Sequence, residues 1–180
     1  MTIALNSQRE HERSKYLELA SRPGSSYGST NHGQHAVPIV QQWKPRLAVD
    51  FGCGRNDFIH HLRRLGFDGL GIDFAFPEAD IAKPMHATGL VDGVADVVTS
   101  FDALEHLLIQ DVIPVLSEMQ RVARAGGRFC FSISTRPSRI TVHGENLHPT
   151  VRPMRWWIEQ ISRVGVLENS NSKYITGRFA

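Results

Sequence analysis

Residues 49–58 read VDFGCGRNDF. The apolar run Leu47–Phe51 leads into this stretch as a short buried strand, and Phe58, Ile59, Leu62 and Leu65 leave it at helical spacing until Gly66 closes the turn. A strand that passes into a helix through glycines leaves backbone N–H groups open to a ligand at the helix start. The dinucleotide fingerprint Gly-x-Gly-x-x-Gly needs its last glycine where Asp57 stands. An acid beside a pyrophosphate is unfavourable, so NAD and FAD are disfavoured. The next strand, within Phe67–Phe74, ends in Asp73, about 20 residues after the turn, where a carboxylate can grip both hydroxyls of a ribose. Together the two strand ends describe a pocket for a nucleoside without phosphates.

Outward from this turn, strand and helix patterns alternate from Gln34 to the carboxyl terminus. Helices are expected over Gln34–Trp43, Asp57–Leu65, Ala103–Leu108, Val112–Ala125 and Met154–Val164. Further strands are expected over Val94–Ser100, Gly126–Ser134, Gly165–Glu168 and Lys173–Phe179, with at most a short one within Pro77–Pro84. That alternation describes an α/β domain with a parallel, helix-flanked sheet. Ahead of it, Ser7–Leu19 reads as a short helix, and Ser21–Gly33, rich in glycine and serine, as a loop or flexible lid. Residues 1–33 are thus a helix and lid-like segment, and 34–180 the one domain.

The chain's 180 residues, 41% hydrophobic and 21% charged, suit a single globular domain that hides roughly 70% of its unfolded surface. Twenty basic against eighteen acidic side chains leave a net charge of +2, with no basic stripe longer than pairs such as Arg63-Arg64. A phosphate-gripping surface is therefore disfavoured. Two cysteines, Cys53 and Cys130, are too few for a disulfide framework and fit a reducing cytoplasm. No apolar run approaches the roughly 20 residues of a membrane helix, and no signal-peptide core opens the chain.

The order of these motifs resembles the class I S-adenosylmethionine-dependent methyltransferase family, from about Gln34 onward. VDFGCG is similar to that family's first motif, which implies that Asp50, Gly52, Cys53 and Gly54 surround the methionine end of the cofactor. The same resemblance places Asp73 on the ribose diol, Phe74 beside the adenine, and Asp80 and Ile81 of EADIAKP near the adenine amino group and ring. ADVVTSFDALEHL, residues 95–107, resembles the fourth-strand motif, with Ser100 and Phe101 lining the cofactor; RVARAGGRFCFSI looks like the approach to the fifth strand. The implied fold is a Rossmann-like doubly wound sheet of about seven strands, mostly parallel with an antiparallel last strand, helices on both faces. Two departures stand out: Asn56 replaces or shifts the motif's third glycine, and the helix before the third strand is much reduced.

Methyl transfer is an in-line displacement at a sulfonium carbon, so the main task is holding acceptor and methyl group in near-attack geometry. For a carbon or oxygen acceptor a base is useful, and the candidates are His106, His143 and His148, with Glu105 and Tyr27 beside them. Glu105 and His106 also suit a helix start without further role. His143, Asn146 and His148 lie in HGENLHPT, where the resemblance places an acceptor-binding loop. No metal is expected, because no acid and cysteine set near the pairs His32/His35 and His143/His148 completes a tetrahedral site. The amino-group motif Asn/Asp-Pro-Pro-aromatic and a Pro-Cys nucleophile are both missing, which favours a small-molecule acceptor over nucleic acid or protein. Two alternatives stay open: a nucleic-acid or protein methyltransferase using Arg136–Arg155, and a cofactor-binding sensor or partner subunit without turnover. The oligomeric state is left open.

Overall fold

A computed structural model describes every residue except 1, 24, 25 and 30. The sheet is built from β1 (Leu47–Phe51), β2 (Asp68–Ile72), β3 (Ala95–Phe101), β4 (Ala123–Ser132), β7 (Gly165–Ser170) and β8 (Ile175–Phe179); β5 (Thr141–Val142) and β6 (Glu145–Asn146) form a separate hairpin. Its order is β2-β1-β3-β4-β8-β7. The first four strands in that order run parallel, and β8 lies antiparallel between β4 and β7. β1 therefore has a neighbour reached from each direction, the switch point outside which open α/β sheets hold their ligands.

Alternating side chains divide the sheet into two packed faces. Val49, Phe51, Val98, Phe129 and Phe131 pack on α4 (Val112–Val122) and α5 (Met154–Ile161). Ala48, Val97 and Cys130 pack on α2 (Asn31–Gln42) and α3 (Asp57–Arg64). This is the doubly wound α/β architecture expected, with six strands where about seven were expected. The missing one survives as a single residue. Ile81 bridges Ile72 in parallel, donating its N–H to Gly71 O (3.0 Å) and accepting from Asp73 N (3.2 Å). Pro77 and Pro84 flank it, and proline brings no N–H to a ladder.

Other boundaries move for local reasons. α4 stops at Val122 because Ala123 already pairs with Ala95; the register then shifts, so that Val97 faces Arg128. The helix expected at Ala103–Leu108 is a 3-10 turn over Leu104–His106. α1 (Thr2–Ser21) is longer than the expected Ser7–Leu19, and α2 begins at Asn31, inside the segment read as loop. Residues 24, 25 and 30 of that segment lie outside the described residues. The β5–β6 hairpin was not anticipated. His143 and Gly144 both have positive φ (51° and 81°), the two-residue turn that follows the strands' twist. Tyr16 and Leu19 of α1 pack on its Val142 and on Leu147, closing the rim above the carboxyl ends of β1–β3.

Candidate active site

The glycine turn is shaped by close approach. Gly52 and Cys53 both donate their N–H to Ile72 O, at 2.8 and 3.0 Å, tying the end of β1 to that of β2. Gly52 (φ 74°) and Gly54 (φ 53°) adopt the left-handed conformation, and a Cβ on Gly54 would lie 2.1 Å from Gly28 O. Asn56 takes the same region (φ 64°), which asparagine tolerates, and its side chain fills the space beside Gly71. A third glycine is thus unnecessary here: the asparagine supplies the conformation, and its Nδ2 donates to Glu78 O and to Asp80 (both 3.0 Å).

Around this turn opens a cavity of about 610 Å3, in the range of small-molecule sites. Asp50, Gly52, Cys53, Gly54, Asp73 and Phe74 line it, and so does Phe101, edge-on to Phe58 at 4.9 Å between ring centres. Asp73 is held by N–H groups of Gly54 (3.1 Å to Oδ2) and Ala75 (2.8 Å to Oδ1), while burial pushes its carboxyl above the usual range. Asp50 accepts from Thr99 Oγ1 at 2.7 Å, and burial raises it to about 7. Burial likewise pushes the Cys53 thiol upward, keeping it protonated and inert.

Three expected cofactor residues sit behind this wall. Asp80 accepts from Gly71 N (2.8 Å) and pairs with Arg63 (2.9 Å). Burial acts to raise its carboxyl, but these bonds and that from Asn56 outweigh it and hold the group below the usual range. Ile81 is the bridge residue described above, packed against the core. Ser100 donates its hydroxyl to Phe51 O (2.8 Å), bracing β3 on β1. Each supports the turn from outside the cavity lining, because the residue left of the expected third strand pairs beside β2 and Ser100 bonds across to β1.

The candidate bases separate in the same way. His106 reaches the cavity wall, as does Tyr27, whose hydroxyl burial pushes far up. His148 stacks edge-on against His106, with ring centres 4.6 Å apart. His143 is exposed at the hairpin turn, paired with Glu18 of α1 at 2.8 Å, away from the cavity. His106 Nδ1 lies 2.9 Å from Leu147 O, and a carbonyl only accepts, so Nδ1 carries the proton; the backbone of Asp102 also meets the ring. Burial, reinforced by His148, lowers His106 to about 4. Glu105 is fully buried; Oε1 accepts from Ser134 N (3.0 Å) and Oε2 has no partner, and burial raises the carboxyl to about 8.

Some wall residues carried no signal in the sequence. Tyr16 arrives from α1, donating to Leu147 O at 2.9 Å, and Met85 and Phe76 come from the irregular chain after β2. Asp102 follows the fourth-strand motif directly, takes φ 51°, and accepts from Ser132 Oγ (3.0 Å) while its other oxygen meets His32 Nδ1 at 2.5 Å. Its place one residue past Phe101, in a conformation aspartate tolerates, was the one available hint.

An open α/β sheet with a glycine turn and a buried acid at the ends of its first two strands defines a domain built around a nucleoside-type cofactor. The chain belongs to the methyltransferase domain family, whose model matches residues 39–173. It is a class I methyltransferase domain of the S-adenosylmethionine-dependent kind, as the motif resemblance implied. A curated relative, the malonyl-[acyl-carrier protein] O-methyltransferase of Yersinia pestis, is 30% identical over 126 residues, covering 62% of this chain. The match spans about half of that relative, 47% of its length. Among solved structures, the 1,6-didemethyltoxoflavin-N1-methyltransferase of Burkholderia thailandensis, with bound 1,6-didemethyltoxoflavin and S-adenosylhomocysteine, matches at a TM-score of 0.79 and 15% identity, covering 97% of this chain and 90% of its own. The N-methyltransferase NodS of Bradyrhizobium japonicum, in complex with S-adenosylhomocysteine, matches at 0.59 and 12% identity, covering 93% and 97%. At these identities the likeness is one of fold.

Proposed function

We propose that the chain transfers a methyl group from S-adenosylmethionine to a small polar acceptor held in the same cavity. The observation that carries this is the seat of Asp73, a buried carboxylate at the end of β2 fixed by the N–H groups of Gly54 and Ala75 on the cavity wall. The wall also suits a cation: its ionisable side chains are Asp50, Asp57, Asp73 and Asp102 against Arg22 and His106, with two tyrosines far above neutrality. When bound, the cofactor supplies a methyl group on a sulfonium, open to in-line displacement.

The chain's own residues hold and orient. Asp73, on the cavity wall, offers a carboxylate that can accept from a ribose hydroxyl pair. Asp50 faces the methionine end, where a neighbouring ammonium would draw its carboxyl, raised by burial, back to the ionised form. Phe74, edge-on to Tyr16 at 5.9 Å, offers a flat apolar side for the adenine. Residues 34–180 serve as the cofactor domain and 1–33 as its cover, with Tyr27 and Gly28 laid over the turn by Arg55, whose Nε donates to Tyr27 O (3.0 Å) and whose N–H donates to Gly28 O (2.9 Å). The enclosed volume favours a small acceptor, and the small molecule bound to the Burkholderia protein supports that reading. No helix among the described residues is long and apolar enough to cross a membrane, and the two buried free cysteines suit the reducing cytoplasm in which we place the chain.

Calorimetry with S-adenosylhomocysteine tests the reading. The intact protein should bind saturably, and Asp73→Ala should bind about 100-fold more weakly, or ~3 kcal/mol for two hydrogen bonds to a charged group. An intact, folded protein that binds none of it refutes the proposal.

A further inference from the structure

We propose that Glu105, His106 and His148 form a site for a divalent cation of the zinc type, with an open position toward the acceptor end of the cavity. Each residue brings one ligand atom to within 4.8 Å of the other two, and among the described residues this is the one such gathering of histidine, cysteine and acidic groups. The orientations match what a metal requires. His106 Nδ1 lies 2.9 Å from Leu147 O and His148 Nδ1 lies 2.7 Å from Arg136 O, so each ring is turned by a backbone carbonyl. A ligating histidine ordinarily donates its other N–H to a carbonyl in this way, which fixes the tautomer and turns the ring. Glu105 is fully buried, with Oε1 anchored to Ser134 N and Oε2 without any partner. A buried carboxyl oxygen without a partner is costly, and a cation meeting it would offset that cost.

The cluster is also built in advance. Thr150 donates its N–H to Glu105 O (3.3 Å) and its hydroxyl to Leu107 O (2.6 Å), lacing the chain beside His148 to the turn that carries Glu105 and His106. Asn146 Oδ1 accepts from His148 N (2.9 Å) and from Ser138 N (2.9 Å), steadying the loop from the other side. Ligand atoms around a tetrahedral ion at about 2.0–2.1 Å lie about 3.4 Å apart, so closure needs side-chain shifts of roughly an ångström. Two imidazoles, one carboxylate and no thiolate suit a borderline cation, and three protein ligands leave the open position of catalytic zinc. His106 lies on the cavity wall, which sets the cluster beside the cavity. A Lewis acid there would act on an acceptor oxygen. This last role rests on the methyl-transfer reading above; the cation site itself does not.

Cobalt(II) serves as the spectroscopic probe, titrated into the full chain after dialysis against a chelator, without cofactor. We expect one equivalent to bind with visible d–d absorption and zinc(II) to displace it. Glu105→Gln and His148→Ala should each weaken cobalt affinity at least about 10- to 100-fold, the loss that outer-sphere changes alone produce. His60→Ala, exposed on α3, should leave it unchanged. Circular dichroism checks the fold of each variant, and His148, at the edge of the rim, tests the site if Glu105→Gln misfolds. No stoichiometric uptake by the intact protein, or undiminished affinity in folded His148→Ala, overturns the proposal. Failure of S-adenosylhomocysteine calorimetry would instead remove the methyl-transfer reading and leave the cobalt spectrum standing.

Discussion

Burial lifts Asp50 to about 7 and Glu105 to about 8, and lowers His106 to about 4. Each folded group resists charge that the unfolded chain accepts freely, so stability depends on pH through all three. For the two acids the folded state keeps protons that the unfolded state releases from about pH 4 upward, and stability falls as pH rises toward 7 and 8. His106 works against this between about pH 4 and 6.5, where the unfolded ring binds a proton and the folded one does not. Glu118, held at about 2 chiefly by Arg121, contributes stability that is lost as pH falls below about 4.5. The thermal midpoint of the protein freed of cofactor and metal should therefore peak near pH 5 and fall most steeply just above 6.5, with a loss of roughly 2 kcal/mol by pH 8, or ~5 °C. In Glu105→Gln the alkaline fall should be visibly shallower; a midpoint that rises from pH 6.5 to 8 contradicts the assignment. Asp50 and Asp73 were legible in the sequence because each ends a strand at local spacing from the glycines. The union of Glu105 with His106 and His148 was not, because it depends on Ser134 and Thr150 folding back onto the turn.

The glycine turn and the short stretch Ser26–Ser29 behave as one element. A methyl at Gly54 meets Gly28 O at 2.1 Å, and the left-handed φ penalises any side chain besides. Gly54→Ala should cost about 1–3 kcal/mol, push residues 26–29 off the turn and speed hydrogen exchange at the Arg55 amide, which donates to Gly28 O. Exchange at Arg55 unchanged from the parent would show that the two pieces are not coupled. Strand and helix identities near this turn follow from apolar spacing alone. What spacing could not show was the third strand shrinking to Ile81, since an isolated residue has no period. The hairpin at His143-Gly144 stayed hidden for a similar reason: its strands are two residues each, too short for alternation.

Over the whole molecule, charge decides which acceptors can come near. Arg136, Arg139, Arg152 and Arg155 are exposed outside the cavity lining, while the cavity itself is walled by Asp50, Asp57, Asp73 and Asp102. Part of the remaining surface charge is spent internally: Arg9 pairs with Asp111, Arg55 with Glu78, and buried Lys15 with Glu12 and Glu145, holding α1 to the hairpin. A phosphate chain would gain little from four dispersed arginines and would be repelled where its target had to enter. Tight nucleic-acid binding takes about six or more phosphate contacts, with affinity falling about 1,000-fold or more between 50 and 200 mM salt. A fluorescent single-stranded RNA should therefore bind no more tightly than the roughly micromolar to 100 micromolar non-specific range, while S-adenosylhomocysteine affinity changes less than about threefold across the same salt interval. Nanomolar RNA binding with a steep salt slope would move the acceptor from a small molecule to a polynucleotide and assign the four arginines to its backbone.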